Sequence, residues 1–329
     1  MIITKTPYRI SLFGGGTDYP AWFEKNPSKA VSAAIANYCY FTVKKLPPFF
    51  EHKNHIIYSK IENVNTFNEI NHPSVKACLK YMNIPNGISI AYNGDLPARS
   101  GIGSSSSFTV GLLHALHVLK DEETSRERLS REAIFVEQKL IGENVGIQDQ
   151  IMAAHGGIRL IEMGPGASWQ SSALPLSYDY RKELENYIMI GFSGVSRISE
   201  SVSKKQVENI KKGTIESFLN SILDLSNKAI DCLVKESDMK TIGGLLHDGW
   251  SLKRELADGV TEPWIDDIYH NSIKCGSLGG KLMGAGGGGF FLFLVPPEKQ
   301  KLFKHKMNSI KVWIPFKFDI DGTQLVLKS

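Results

Sequence analysis

Apolar and polar positions divide the chain into short strands and helices joined by glycine-rich turns. Residues 2–12 (Ile-Ile-Thr-Lys-Thr-Pro-Tyr-Arg-Ile-Ser-Leu) predict an extended segment, although Pro7 argues against a central strand at its own position. A run of β-formers predicts a strand over 38–44, and Ile56-Ile57-Tyr58-Ser59 a shorter one. Residues 72–82 carry Pro73 near their start and apolar residues three and four apart, the pattern of a helix. Gly87–Tyr92 alternates and predicts a strand that feeds a glycine- and serine-rich loop, Asp95–Ser107. Helical patterns follow over 105–119 and 125–140, where Leu129, Ala133, Val136 and Leu140 share one face. A small-residue helix opens near Asp149, and a strand follows at 158–162. Residues 163–180 read as a linker, which predicts a domain boundary near 175–185. Beyond it come a strand at 187–192, helical patterns over 199–275 and the apolar strand 290–295. A helix over 296–307 and a last strand over 311–318 close the pattern.

Length and composition narrow the function. The 329 residues suggest about two domains. A net charge of +4 with no basic run argues against a nucleic-acid binder and suits anionic small molecules. Cys39, Cys78, Cys232 and Cys275 form no CxxC pair, so metal-ligand spacing is absent and free thiols in a reducing cytoplasm are expected. No apolar run approaches the ~20 residues needed to span a bilayer, and the first residues lack a signal-peptide core.

The candidate chemistry begins at the Asp95–Ser107 loop. Gly101-Ile102-Gly103 is followed by Ser104, Ser105, Ser106 and Ser107 and then by a helix. Unpaired N–H groups and the dipole at a helix start favour an anion, most simply a nucleotide phosphate. A serine-capped helix after a turn would explain one or two of the serines. The loop is neither a Walker A motif, since the only Gly-Lys (Gly280-Lys281) is followed by Leu282, nor a dinucleotide fingerprint. Gly14-Gly15-Gly16-Thr17-Asp18 fits a plain turn as well as a ligand loop. Asp149 alone fits an acidic residue stabilised by a helix dipole.

Taken together, these blocks resemble a known family. Pro7–Tyr19, Leu96–Ser107 and Lys281–Gly289, in that order, are similar to the three signatures of the GHMP kinases, the superfamily of galactokinase, homoserine kinase, mevalonate kinase and phosphomevalonate kinase. Gly146-Ile147-Gln148-Asp149-Gln150 resembles the galactokinase-type aspartate motif. Within the superfamily, the Phe-Gly-Gly-Gly-Thr-Asp-Tyr-Pro block looks most like bacterial D-glycero-D-manno-heptose 7-phosphate kinases. Galactokinases usually have Gly-Glu-His-Thr-Asp-Tyr where this chain has Gly14–Tyr19.

The resemblance implies a two-domain α+β fold. A ribosomal-protein-S5-like N-terminal domain would span 1–180 and a ferredoxin-like C-terminal domain 181–329, with ATP and a sugar phosphate meeting between them. It implies that Pro97, Arg99, Ser100, Gly101, Ile102, Gly103, Ser104, Ser105 and Ser106 hold the ATP phosphates. Asp149 would accept the sugar hydroxyl proton, and Arg9 would stabilise the charge of phosphoryl transfer. Ser105 and Glu137 would hold Mg²⁺, with Ser104 as the neighbouring alternative to Ser105. Gly15, Gly16, Thr17, Asp18, Arg197, Gly286 and Gly287 would serve the acceptor, while the late glycine cluster would chiefly support the phosphate loop. The implied protein is a cytoplasmic enzyme with no nucleic-acid or membrane partner; a homodimer stays open. Another sugar kinase of the same family, or a sugar sensor built on its fold, is the alternative.

Overall fold

The computed structural model describes residues 1–196 and 200–329. Its first sheet contains β1 (Ile2–Phe13), β2 (Ser28–Lys45), β3 (Asn54–Ile57), β4 (Ile61–Val64), β5 (Ile88–Gly94), β6 (Ile158–Gly164) and β7 (Ser168–Ala173). The second holds β8 (Ile188–Phe192), β9 (Gly279–Leu282), β10 (Phe290–Leu294) and β11 (Val312–Ile314), while β12 (Gln324–Lys328) returns to the first. The helices of the first half are α1 (Pro20–Phe23), α2 (Pro73–Tyr81), α3 (Ser104–Leu119), α4 (Arg126–Phe135), α5 (Gln148–His155) and α6 (Tyr178–Tyr187). Those of the second are α7 (Glu200–Lys212), α8 (Glu216–Val234), α9 (Met239–Arg254), α10 (Pro263–Lys274) and α11 (Gln300–Lys306). No helix among the described residues is long and apolar enough to cross a membrane.

The first sheet runs β12-β1-β2-β5-β3-β4, with β6 on β2 and β7 on β6. The long strand β2 changes partner half-way: Ser28–Ala33 pairs with β6 and Cys39–Lys45 with β5. The expected strand at 38–44 is therefore only its second half. The alanine-rich first half is extended by its pairing with β6, and Ala30 and Ala34 are buried in one cluster with Ile147, Ile151 and Met152. Tertiary packing overrides the helical propensity of alanine here.

Pro7 lies inside β1, at a register shift between Pro7 and Tyr8. That bulge absorbs the proline within the ladder. β12 covers only Ile2–Lys5 of the outer edge of β1. Beyond it the edge is taken by the glycine- and serine-rich loop, through Arg9 N–H to the Ile102 carbonyl at 3.1 Å. The side chain of Arg9 is thereby placed beside the loop.

Several expectations change. Residues 163–180 are not a linker: they contain β7, which pairs with β6, and the start of α6. The helix expected over 125–140 becomes α4 followed by a π-helical turn over Val136–Ile141. The strand expected over 311–318 is shorter, and β12 was not anticipated. Its pairing with β1 carries the end of the chain across the division expected at 180/181.

The second sheet is apolar on both faces. Ile188, Ile190, Phe290, Leu292 and Leu294 join the core that β1, β2 and α3 bury, whereas Met189, Phe291 and Phe293 pack with Trp250, Tyr269 and Phe303. Alternation along β8 and β10 thus serves two cores at once. α3 lies close on the first sheet because residue 111 lacks a side chain. A Cβ on Gly111 would meet Thr6 Oγ1 at 2.7 Å and the Phe41 ring at 3.2 Å. We expect Gly111→Val to cost about 1–3 kcal/mol by overpacking. Gly244→Ala, on an exposed face of α9 with open space around it, should gain up to about 1 kcal/mol of helix propensity. Thermal melts of the two variants should therefore move in opposite directions; a Gly111→Val melt at or above wild type would contradict this packing.

Candidate active site

A cleft of about 720 Å³ opens over the N-terminus of α3. Its walls include Arg9, Gly15, Gly16, Asp18, Arg99, Gly101, Gly103, Ser104, Ser105 and Asp149. The loop reaches this shape through left-handed backbone at Arg99, Gly101 and Gly103, with φ of 58°, 83° and 72°. Ser104 Oγ accepts from Arg99 N–H at 3.2 Å, and Ser100 Oγ donates to the Pro97 carbonyl at 2.6 Å. Pro97, Ser100 and Ile102 shape the loop from behind and do not line the cleft. The first N–H groups of α3 stay free for an anion.

The glycine cluster after β9 braces this loop through backbone contacts. A Cβ on Gly101 would lie 2.5 Å from the Met283 carbonyl oxygen, and one on Gly289 would lie 2.3 Å from that of Ser100. Phe290 N–H donates to the Ser100 carbonyl at 3.0 Å. The supporting role expected for the cluster holds in these contacts. Gly286 and Gly287, expected to serve the acceptor, pack instead against Val260: a Gly286 Cβ would meet its Cα at 2.5 Å, and Gly287 N–H donates to its carbonyl. Gly284 and Ala285 are the residues that line the cleft. Thr17 is likewise buried and spends its hydroxyl on the Gly14 carbonyl at 2.9 Å. Arg197 lies outside the described residues.

At the centre of the cleft Arg9 grips Asp149. Nε donates to Oδ1 at 2.7 Å and Nη2 to Oδ2 at 2.6 Å, while Nη1 donates to the Gly101 carbonyl at 2.6 Å. A bidentate guanidinium–carboxylate pair fixes both side chains in one plane. Asp149 sits in the first turn of α5, and the residue before it ties that turn to the glycine turn. Gln148 Nε2 donates to Asp18 Oδ2 at 2.9 Å, and Gln148 Oε1 accepts from Ser32 Oγ at 2.8 Å. Asp18 Oδ1 accepts from Gly16 N–H at 3.0 Å. Burial, and then the charge of Asp149, push the Asp18 carboxyl above its usual range.

Glu137 is fully buried in the π-helical turn. The serine bonded to it is Ser106, with Oγ donating to Oε2 at 2.9 Å, rather than Ser105, which is exposed at the cleft. The helix begins at Ser104, so its third residue is the one turned towards Glu137. Burial raises the Glu137 carboxyl to about 8, and its Oε1 has no hydrogen-bond partner. A buried carboxyl oxygen without a partner beside a hydroxyl suits a hard divalent cation, whose charge would favour the ionised carboxylate. Sequence reasoning left several cleft residues unidentified. Gln148 lies inside the aspartate motif and could have been suspected. Lys253, and the ring group in which His72 stacks on Phe108 at 4.5 Å, are brought in by tertiary packing and carry no local signal.

Residues 71–157 match the GHMP kinases N terminal domain and residues 229–311 the GHMP kinases C terminal domain, together just over half of the chain. The chain belongs to the GHMP kinases. It is 27% identical over 317 residues to the D-glycero-alpha-D-manno-heptose 7-phosphate kinase of Campylobacter jejuni, covering 91% of each chain. It is 25% identical to the bifunctional fucokinase/GDP-fucose pyrophosphorylase of Arabidopsis thaliana, covering 93% of this chain but 32% of that longer protein. The crystal structure of a D-glycero-D-manno-heptose 1-phosphate kinase from Bacteroides thetaiotaomicron shares the fold, with a TM-score of 0.82 at 22% identity and 100% of both chains covered. As a GHMP kinase the protein is an ATP-dependent phosphotransferase with an alcohol group as acceptor. Its two-sheet α+β architecture is that of the family.

The GHMP aspartate turn demands glycine at one position. A Cβ on Gly146 would lie 1.8 Å from Asp18 Oδ2. Gly146→Ala should displace Asp18 and lower kcat/KM for the acceptor about 100-fold, since small misplacements at a reacting centre are costly. ATP affinity, measured by calorimetry, should stay near wild type. Unchanged acceptor kinetics would remove Asp18 from the acceptor site.

Proposed function

We propose that the protein transfers the γ-phosphoryl group of ATP to the anomeric hydroxyl of D-glycero-D-manno-heptose 7-phosphate, giving the 1,7-bisphosphate for nucleotide-activated heptose synthesis. The observation that carries this reading is the Arg9-held Asp149, which lines one cleft with Asp18 and the N-terminus of α3. Similarity to the Campylobacter enzyme along nearly the whole chain supports the acceptor class. So does Gly14-Gly15-Gly16 in place of the bulkier galactokinase residues.

In this reading Asp18 accepts a hydrogen bond from a sugar hydroxyl and orients the ring. Asp149 accepts the proton of the anomeric hydroxyl as its oxygen attacks phosphorus. Arg9 holds Asp149 at the loop, so proton acceptor and phosphate site cannot drift apart. The Arg99–Ser106 backbone and the α3 dipole take up phosphate charge. The stacked Phe108–His72 pair, which lines the same cleft, gives an adenine base an aromatic wall. Glu137 and Ser106 would hold Mg²⁺, with the Ser105 hydroxyl at the cleft side. When bound, the ion would neutralise the β- and γ-phosphate oxygens.

Two experiments test the assignment. ATP consumption should be fastest with D-glycero-D-manno-heptose 7-phosphate in a panel of hexoses, heptoses, hexose 6-phosphates and heptose 7-phosphates. Faster turnover with an unphosphorylated hexose would overturn the acceptor. Glu137→Gln should raise the Mg²⁺ concentration needed for half-maximal rate at least about tenfold. An unaltered Mg²⁺ titration would remove Glu137 from the metal site.

A further inference from the structure

Each nitrogen of the Arg9 guanidinium donates within the protein, two to Asp149 and one to the Gly101 carbonyl, so three of its five N–H groups are spent and its charge is paired with the Asp149 carboxylate. The charge that develops on a phosphoryl group in transit calls for a further cation whose charge is not already paired with a carboxylate. Lys253, in the last turn of α9, meets that need. It lines the cleft with Arg9, Asp18, Asp149, Gly101 and Gly284, yet only 7% of its surface is exposed. Its Nζ donates to the Gly284 carbonyl, and among the described residues no carboxylate forms an ion pair with it. An ammonium has three donors, so two remain.

We infer that Lys253 is a second cation of the reaction, its ammonium contacting the phosphoryl group as it passes from ATP to the acceptor. The geometry aims it there. Gly284, which holds Nζ, packs directly on Gly101, since a Cβ on Gly284 would lie 2.5 Å from the Gly101 Cα. Gly101 in turn holds Arg9. Lys253 and Arg9 therefore grip two backbone segments that touch, beside the mouth of the phosphate loop. Lys281 offers the contrast. It is equally buried, but its Nζ donates to the Leu12 carbonyl at 3.0 Å and it does not line the cleft, which is the arrangement of a structural lysine. Burial, with the positive charge of Arg9, lowers the Lys253 ammonium to about 8, against the attraction of Asp18 and Asp149. At neutral pH the group remains mostly the ammonium, and an arriving polyphosphate would stabilise that charged form further.

The inference rests on the phosphotransferase reading above. In the step, the acceptor oxygen forms a bond to the γ-phosphorus as the bond from that phosphorus to the β,γ-bridging oxygen breaks. The hydroxyl proton passes to Asp149, and ADP leaves with the bond's electron pair. Lys253 stays protonated throughout and exchanges no proton.

The test compares full-length wild type with Lys253→Met and Lys253→Arg. Four quantities are read: slow hydrolysis of Mg·ATP by water, transfer to D-glycero-D-manno-heptose 7-phosphate, Kd for Mg·ATP and the melting temperature. For Lys253→Met both rates should fall about 100-fold. Its Kd should stay within about threefold of wild type. Its melting temperature should hold or rise, because an unpaired buried charge has been removed. Lys253→Arg should recover part of the rate. Unchanged rates would overturn the inference. So would a loss confined to a higher KM for the heptose phosphate with hydrolysis intact, which would place the ammonium on the acceptor's own phosphate. A lower melting temperature with lost ATP binding would assign Lys253 a structural role and overturn it equally. Should wild type hydrolyse ATP but phosphorylate no heptose, the acceptor reading fails while the hydrolysis arm still judges Lys253.

Discussion

The three-armed contact of Arg9 is the constraint on which the rest of the cleft depends. One planar group joins β1, the first turn of α5 and the phosphate loop through Asp149 and the Gly101 carbonyl. Arginine suits this role because its donors form a fixed planar fork that meets a carboxylate with two parallel bonds; a lysine at the same place would present a point charge on a flexible stem without that geometry. The pair is largely shielded, with side-chain exposures of 6% and 24%, so solvent screens it weakly. Breaking one side would leave a buried charge unpaired, which costs far more than an exposed ion pair contributes. The contact lies where the edge of β1 beyond β12, which ends at Lys5, is taken by the loop.

Around this point the two halves of the chain meet mostly through backbone. Gly101 faces Gly284, and Gly289 faces Ser100, at separations that leave no room for a Cβ. Such seams hold the loop rigid without placing side chains where phosphates must lie. In the proposed reaction Asp18 and Asp149 serve the acceptor and the α3 N-terminus serves the phosphates, and both line one cleft with Arg9 and Lys253. Glu137 lies within the protein behind the first helical turn, reached through Ser106.

What the sequence disclosed was local. The glycine-serine loop, the helix after it and the aspartate motif are encoded by adjacent residues, and their family resemblance led to the GHMP fold. What it concealed was set by distant partners. β12 is a short run of exposed apolar residues whose identity as a strand depends on Ile2–Lys5 at the other end of the chain. β7 is serine-rich and resembles a linker until its register with β6 is known. The choice among Ser104, Ser105 and Ser106 turns on the residue at which α3 begins, because neighbouring helical residues point about 100° apart. Lys253 resembles any polar residue on an amphipathic helix; only the packing of α9 against β9 brings it to the cleft. Thr17, Gly286 and Gly287 sit beside the site in sequence but spend their polar groups or their lack of a side chain on the scaffold.

The central claim is that Arg9 and Asp149 act as one unit linking the phosphate site to the acceptor. A double-mutant cycle on kcat, with Arg9→Lys, Asp149→Asn and the pair, measures that directly. Each single substitution should cost about 100-fold or more. The double variant should be hardly slower than the slower single one, because the second change removes a contact already lost. Losses that multiply across the cycle, or a near-normal kcat in either single variant, would contradict the account.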